Sequence, residues 1–241
     1  MTAFPAARSD AHPGFIICPG GGYWRHSPIT NEPVAAWLNS IGISAYLLRY
    51  ALKPAKHPAP LNDLQRAIRT VRSSAAVSNL DPAKIGVIGF SAGGHLATTA
   101  GTRFDNGNPT ADDPIERVSS RPDALVLGYP VISFEEYRHE GTVLTLLGDE
   151  PDEQIRNELS NHRQVTHDTP PSFIWHTVDD PVVPVQNSLL FANALIDNAV
   201  PCELHLFPHG DHGLGLAADN PSLSQWTALC ETWLKGLGFL P

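Results

Sequence analysis

Residues Gly89-Phe90-Ser91-Ala92-Gly93 stand between an apolar run, Ile85-Gly86-Val87-Ile88, and an alanine-rich segment, His95-Leu96-Ala97-Thr98-Thr99-Ala100. The short β-branched run predicts a strand and the segment after it a helix. A serine held between glycines at such a turn is pushed into a sparsely populated backbone region, at a cost of about 1–3 kcal/mol. In return its hydroxyl stands clear of the sheet as a nucleophile, beside the free N–H groups that open the following helix. The flanking glycines are needed because a Cβ there would strike a neighbouring strand or helix.

The same alternation continues to either side. Apolar segments at 14–18, 43–49, 84–90, 124–129, 172–177 and 202–207 are separated by helical patterns. That order predicts an α/β three-layer sandwich, a mostly parallel sheet with helices on both faces. Leu61, Leu64, Ile68, Val71 and Ala75 recur at helical spacing, as do Val185, Leu189, Ala192, Leu195 and Ala199. Leu223, Trp226, Leu229 and Trp233 form a last stripe, which Asn220 or Ser222 beside Pro221 can start and Gly236 can stop. Two connections are long. Residues 103–122 read as a polar surface loop. Residues 133–171 carry a helix around 152–159, and an excursion of that length from the C-terminal edge of a sheet is expected to cover the active site.

Composition narrows the partners. With 241 residues, 42% of them hydrophobic, the chain can bury the core of one domain spanning 1–241. A formal net charge of −9 argues against nucleic acid and polyanionic substrates and suits a small-molecule or oligosaccharide ester. No long uncharged apolar run suggests a membrane span, and the first residues lack the apolar core of a secretory signal. Three scattered cysteines, Cys18, Cys202 and Cys230, read as free thiols. Together these predict a cytoplasmic location.

Two further stretches carry chemistry. Cys18-Pro19-Gly20-Gly21-Gly22-Tyr23-Trp24 follows the first strong strand. Its glycines leave the N–H groups of Gly21 and Gly22 open to donate, with that of Ala92, to a developing oxyanion. No dinucleotide or P-loop spacing accompanies them. Downstream, a serine nucleophile needs an acid and then a histidine in chain order. Asp179-Asp180-Pro181-Val182-Val183-Pro184 supplies the acid just past a strand; Asp180 is preferred because it opens the D-P-V-V-P turn, with Asp179 as the alternative. Pro208-His209-Gly210-Asp211-His212-Gly213 supplies the base, and His212 is preferred over His209. Tyr23, Trp24 and Phe90 adjoin the reacting residues and are candidates for contact with substrate. Among the eleven histidines, His95 is expected to pack behind the turn, His176 to be a core residue and His205 to be structural. His139, His162 and His167 lack metal-ligand spacing, so neither metal nor cofactor is expected.

The segments P-G-G-G-Y-W, G-F-S-A-G-G-H-L-A, L-G-Y-P-V-I (127–132), D-D-P-V-V-P-V and H-G-D-H-G-L-G together resemble the α/β-hydrolase carbohydrate esterases, most of all the acetyl xylan esterase-like enzymes, some of which also remove feruloyl groups. Pro19 and Phe90 stand where the neighbouring hormone-sensitive-lipase-like esterases carry His and Asp. The resemblance implies an α/β-hydrolase fold. It also implies a serine carboxylic-ester hydrolase that releases short acyl groups from sugars such as xylan through an acyl-enzyme on Ser91, His212 and Asp180. A serine peptidase or a formamidase-like amidase of the same fold is the alternative. The pattern usually has more chain before the first strong strand, so the N-terminal sheet edge, at 2–5, is expected to be minimal.

Overall fold

The computed structural model describes residues 1–241. Seven strands form one sheet: β1 (Thr2–Phe4), β2 (His12–Cys18), β3 (Ser44–Leu47), β4 (Leu80–Phe90), β5 (Leu125–Gly128), β6 (Ser172–Thr177) and β7 (Cys202–Phe207). Their order is β1-β3-β2-β4-β5-β6-β7, parallel throughout except for β1. The six expected strands are all present. The N-terminal edge is the three-residue β1, antiparallel to β3.

Helices α1 (Glu32–Ser40), α2 (Ala59–Ser73), α3 (Ala92–Thr102), α4 (Glu140–Leu147), α5 (Glu153–Glu158), α6 (Gln186–Asp197) and α7 (Trp226–Gly236) complete the fold. None is long and apolar enough to cross a membrane. The strand alternation sorts them onto two faces. Ile16 and Cys18 of β2 join Leu64 and Ile68 of α2, Leu96 of α3 and Phe191 of α6 in one buried cluster. Phe15 and Ile17 of the same strand join Val34 and Leu38 of α1 and Trp226, Trp233 and Leu234 of α7 in the other. This is the three-layer sandwich.

Two helices had no clear signal in the sequence. In α1, Pro33 stands in the first turn and only Val34, Ala35 and Leu38 are buried. In α4, Thr142, Val143 and Leu146 are its buried residues. Both stripes are too short to declare a period on their own.

The connection order builds the site. The chain passes from β2 outward to β3 and then returns to place β4 on the other side of β2. Loops leaving the C-terminal ends of β2 and β4 therefore diverge from adjacent strands, where Cys18 is the register partner of Gly89. The approach is close: a Cβ on Gly93 would collide with the carbonyl oxygen of Cys18.

Candidate active site

Ser91 sits between β4 and α3 with φ 54° and ψ −122°, the strained turn that its sequence predicts. Neighbours fix it: its N–H donates to Gly128 O at 3.0 Å, and its carbonyl accepts from Gly94 N at 2.9 Å and Val131 N at 3.1 Å. Thr177 of β6 and Phe207 of β7 are register partners, so the loops that follow leave the sheet side by side. Asp180 and His212 come from those two loops.

The three side chains form a continuous chain of hydrogen bonds. Ser91 Oγ lies 2.8 Å from His212 Nε2, and His212 Nδ1 lies 2.7 Å from Asp180 Oδ2. With Nδ1–H donating to the carboxylate, Nε2 presents its lone pair to the hydroxyl. Asp180 is itself held by the backbone, because Oδ1 accepts from Val182 N at 2.8 Å and Val183 N at 2.9 Å. Burial pushes its carboxyl up, but donors from His176, His212 and Val183 outweigh that and hold it well below the usual carboxylate range. The alternatives pair with each other instead. Asp179 Oδ2 meets His209 Nδ1 at 2.8 Å, with those side chains 51% and 86% exposed.

A cleft of about 560 Å³ opens over Ser91 and His212. Gly20, Gly21 and Gly22 form one wall, and of its fifteen lining residues only three are hydrophobic. Gly21 and Gly22 have φ of 122° and 65°, and their N–H groups, like that of Ala92, donate to no backbone acceptor. A second cleft, of about 600 Å³, is lined by Arg8, Asp10 and Lys235 among others and by none of these residues.

The candidates for substrate contact separate. Trp24 lines the cleft and is 65% exposed. Tyr23 and Phe90 do not line it, a correction to the sequence reading. Tyr23 is buried with its hydroxyl 2.9 Å from His95 Nδ1, and Phe90 is buried against Tyr129 and Trp226. Successive residues in a turn cannot all face the same space, and both aromatic rings gain more by filling the core. His95 packs behind the turn as expected. Its Nε2 reaches Leu159 O at 2.9 Å, and burial holds its pKa down at about 3.

Other residues at the site were not singled out for it in the sequence, although the excursion at 133–171 was expected to cover it. Tyr129 lies edge-on to His212 at 4.8 Å between centroids, and its hydroxyl accepts from Gly215 N at 3.0 Å, tying the histidine loop to β5. The excursion at 133–171 contributes His139, Gly141 and Thr145 to the cleft. His176, read as a core residue, is fully buried and lies within 3.3 Å of Asp180 Oδ2. No group of three or more His, Cys, Asp or Glu side chains is arranged to hold a metal ion.

Residues 3–195 match the BD-FAE family. The crystal structure of an acetyl ester-xyloside bifunctional hydrolase from Caldicellulosiruptor lactoaceticus is 54% identical, covers 99% of this chain and 88% of that one, and superposes with a TM-score of 0.98. Endo-1,4-beta-xylanase B of Butyrivibrio fibrisolvens is 39% identical over 85% of this chain, and an acetylxylan esterase of Xylanibacter ruminicola is 34% identical over 91%. The chain spans 33% and 44% of the length of those two relatives.

Proposed function

The chain belongs to the BD-FAE family of α/β-hydrolases, and from that premise we propose that it is a serine esterase removing short acyl groups, acetyl above all, from carbohydrates such as xylan. The observation that carries this reading is the unbroken path Asp180–His212–Ser91, which ends at the cleft that Ser91 and His212 line. The relatives named for acetyl ester and xylan chemistry support the substrate class.

In this mechanism Ser91 Oγ attacks the ester carbonyl carbon while its proton passes to His212 Nε2. Asp180 keeps the imidazole in the tautomer that accepts it and stabilises the cation that forms. The carbonyl oxygen becomes an oxyanion, and the N–H groups of Gly21, Gly22 and Ala92 are the donors beside it. His212 returns the proton to the leaving sugar oxygen, which departs as the alcohol and leaves an acyl-serine. Water, deprotonated by the same imidazole, then releases the carboxylic acid and restores Ser91. The step needs no metal or cofactor.

Acetylated xylooligosaccharides, feruloyl esters, a peptide amide and an aryl formamide compared on the purified chain test the assignment. Hydrolysis of the acetylated sugar, lost in Ser91→Ala, is the expected result. Faster turnover of the amide or formamide would replace it with an amidase.

A further inference from the structure

His139 caps the N-terminus of α4, and its ring does so in an unusual way. Nδ1 accepts from the backbone N–H of Thr142 at 3.2 Å and lies 2.7 Å from Thr142 Oγ1. Ser, Thr, Asp and Asn are the ordinary residues at such a position, since each offers a short oxygen acceptor. A histidine does the same work with one nitrogen and keeps a second. With Nδ1 occupied as an acceptor, the ring proton resides on Nε2, so that nitrogen is a donor. Burial lowers the pKa of the ring and the nearby His212 lowers it further, against a smaller upward pull from Asp180.

The placement of the ring gives this donor a purpose. His139 lines the same cleft as Ser91 and His212, and no protein group bonds its Nε2. Gly141 lies beside it: a Cβ there would sit 3.3 Å from the ring Cε1 and 3.8 Å from Nε2, so a larger residue would crowd that edge. Trp24, also on the cleft, exposes an indole able to cover the apolar face of a sugar ring.

We infer that His139 selects the leaving group, its Nε2–H donating a hydrogen bond to a hydroxyl or ring oxygen of the sugar that carries the scissile ester. This rests on the esterase reading above and adds the residue that tells a sugar ester from a plain aryl ester. An unbonded N–H on a ring that lines the cleft is matched by a polyol and left without a substrate partner by an alcohol that has no other oxygen.

The substitution His139→Asn separates capping from recognition, because Asn is a good cap but its amide stops short of the imidazole Nε2. The pair of substrates is a mono-acetylated methyl xylopyranoside and phenyl acetate, whose leaving group has no second oxygen. The ratio of kcat/KM for the sugar ester over phenyl acetate should fall about tenfold, the equivalent of one hydrogen bond, chiefly through KM. The Tm should stay with the wild type in His139→Asn and fall in His139→Ala. Equal losses on both esters, or none on either, would overturn the assignment while the esterase reading stands. A wild-type chain inactive on both esters would overturn both.

Discussion

His176 Nε2 lies 3.3 Å from Asp180 Oδ2, the oxygen that also accepts from His212 Nδ1 at 2.7 Å. The buried imidazole is anchored on its other contacts, with Nδ1 2.7 Å from Ser188 Oγ and Nε2 3.0 Å from Val183 O. Nε2 thus bonds a carbonyl and at the same time lies against the carboxylate. The N–H groups of Val182 and Val183 on Oδ1 and His212 on Oδ2 give Asp180 three donors, and the His176 ring closes the remaining side of the carboxylate. His176 is therefore placed to position Asp180, and through it His212.

His176→Phe keeps a ring but removes that donor. Asp180 then holds its one remaining imidazole, His212, more strongly, so the acid limb of the pH–rate profile should move to higher pH and kcat should fall by about tenfold or more. Folding should also suffer, because Val183 O and Ser188 Oγ lose a buried partner worth about 1–3 kcal/mol. A profile unmoved on the pH axis, with only the Tm lowered, would make His176 purely structural.

Ser91→Ala should reduce kcat by about 10⁴-fold or more with little change in Tm. Alanine retains the Cβ that already occupies the turn at φ 54°, so the backbone strain is the same in both proteins. Residual activity within tenfold of wild type would remove Ser91 from the reaction.

The adjacent carboxylates should behave oppositely. Asp180→Asn and His212→Ala should each cost several orders of magnitude in kcat. Asp179→Asn and His209→Ala should be mild, because the pair that they break is exposed to solvent. Steady-state rates on p-nitrophenyl acetate for the four variants decide it, and severe loss in either Asp179 or His209 would contradict the geometry.

Asp180 also couples stability to acidity. Its native carboxyl titrates below the ordinary value of 3.8. The contribution is therefore fully present above that value and is lost as pH falls through the interval toward the native one. Urea unfolding of wild type and Asp180→Asn from pH 7 down to pH 3 should show a stability difference that is constant in the upper range and shrinks below about pH 4. A difference that stays flat over the whole range would show that the carboxylate is not held in its ionised form by the fold.

Acyl length is set by the cleft. The cleft is about 560 Å³ and carries only three apolar side chains, Trp24, Tyr129 and Val182, so a long acyl chain would bury little of itself against apolar side chains. Turnover of p-nitrophenyl acetate should exceed that of the palmitate ester in kcat/KM by well over tenfold, and the reverse order would point to a lipid substrate.

The order of chemistry along this chain was legible because it is written in local patterns. A strand, a glycine-flanked serine and a helix are contiguous, so the turn at Ser91 needs nothing distant to be recognised. The same holds for the glycines at 20–22 and for the two loops that carry an acid and a histidine. Helix α2 shows its buried stripe over four turns, whereas α1 and α4 are brief and become helices through the packing of a few residues.

What tertiary structure decided is direction. Asp179 and Asp180 are adjacent and carry the same group, separated in sequence only by the turn that Asp180 opens, yet one faces solvent and the other is buried against two imidazoles. Tyr23 and Trp24 are likewise neighbours, and the turn sends one into the core and the other to the cleft. His176 and His139 reach the site from β6 and from the cap of α4, and neither is a sequence neighbour of Ser91 or His212. Local sequence determines which groups a segment offers; which way each points is fixed by the sheet order and by the competition for core volume, and both of those are properties of the whole chain.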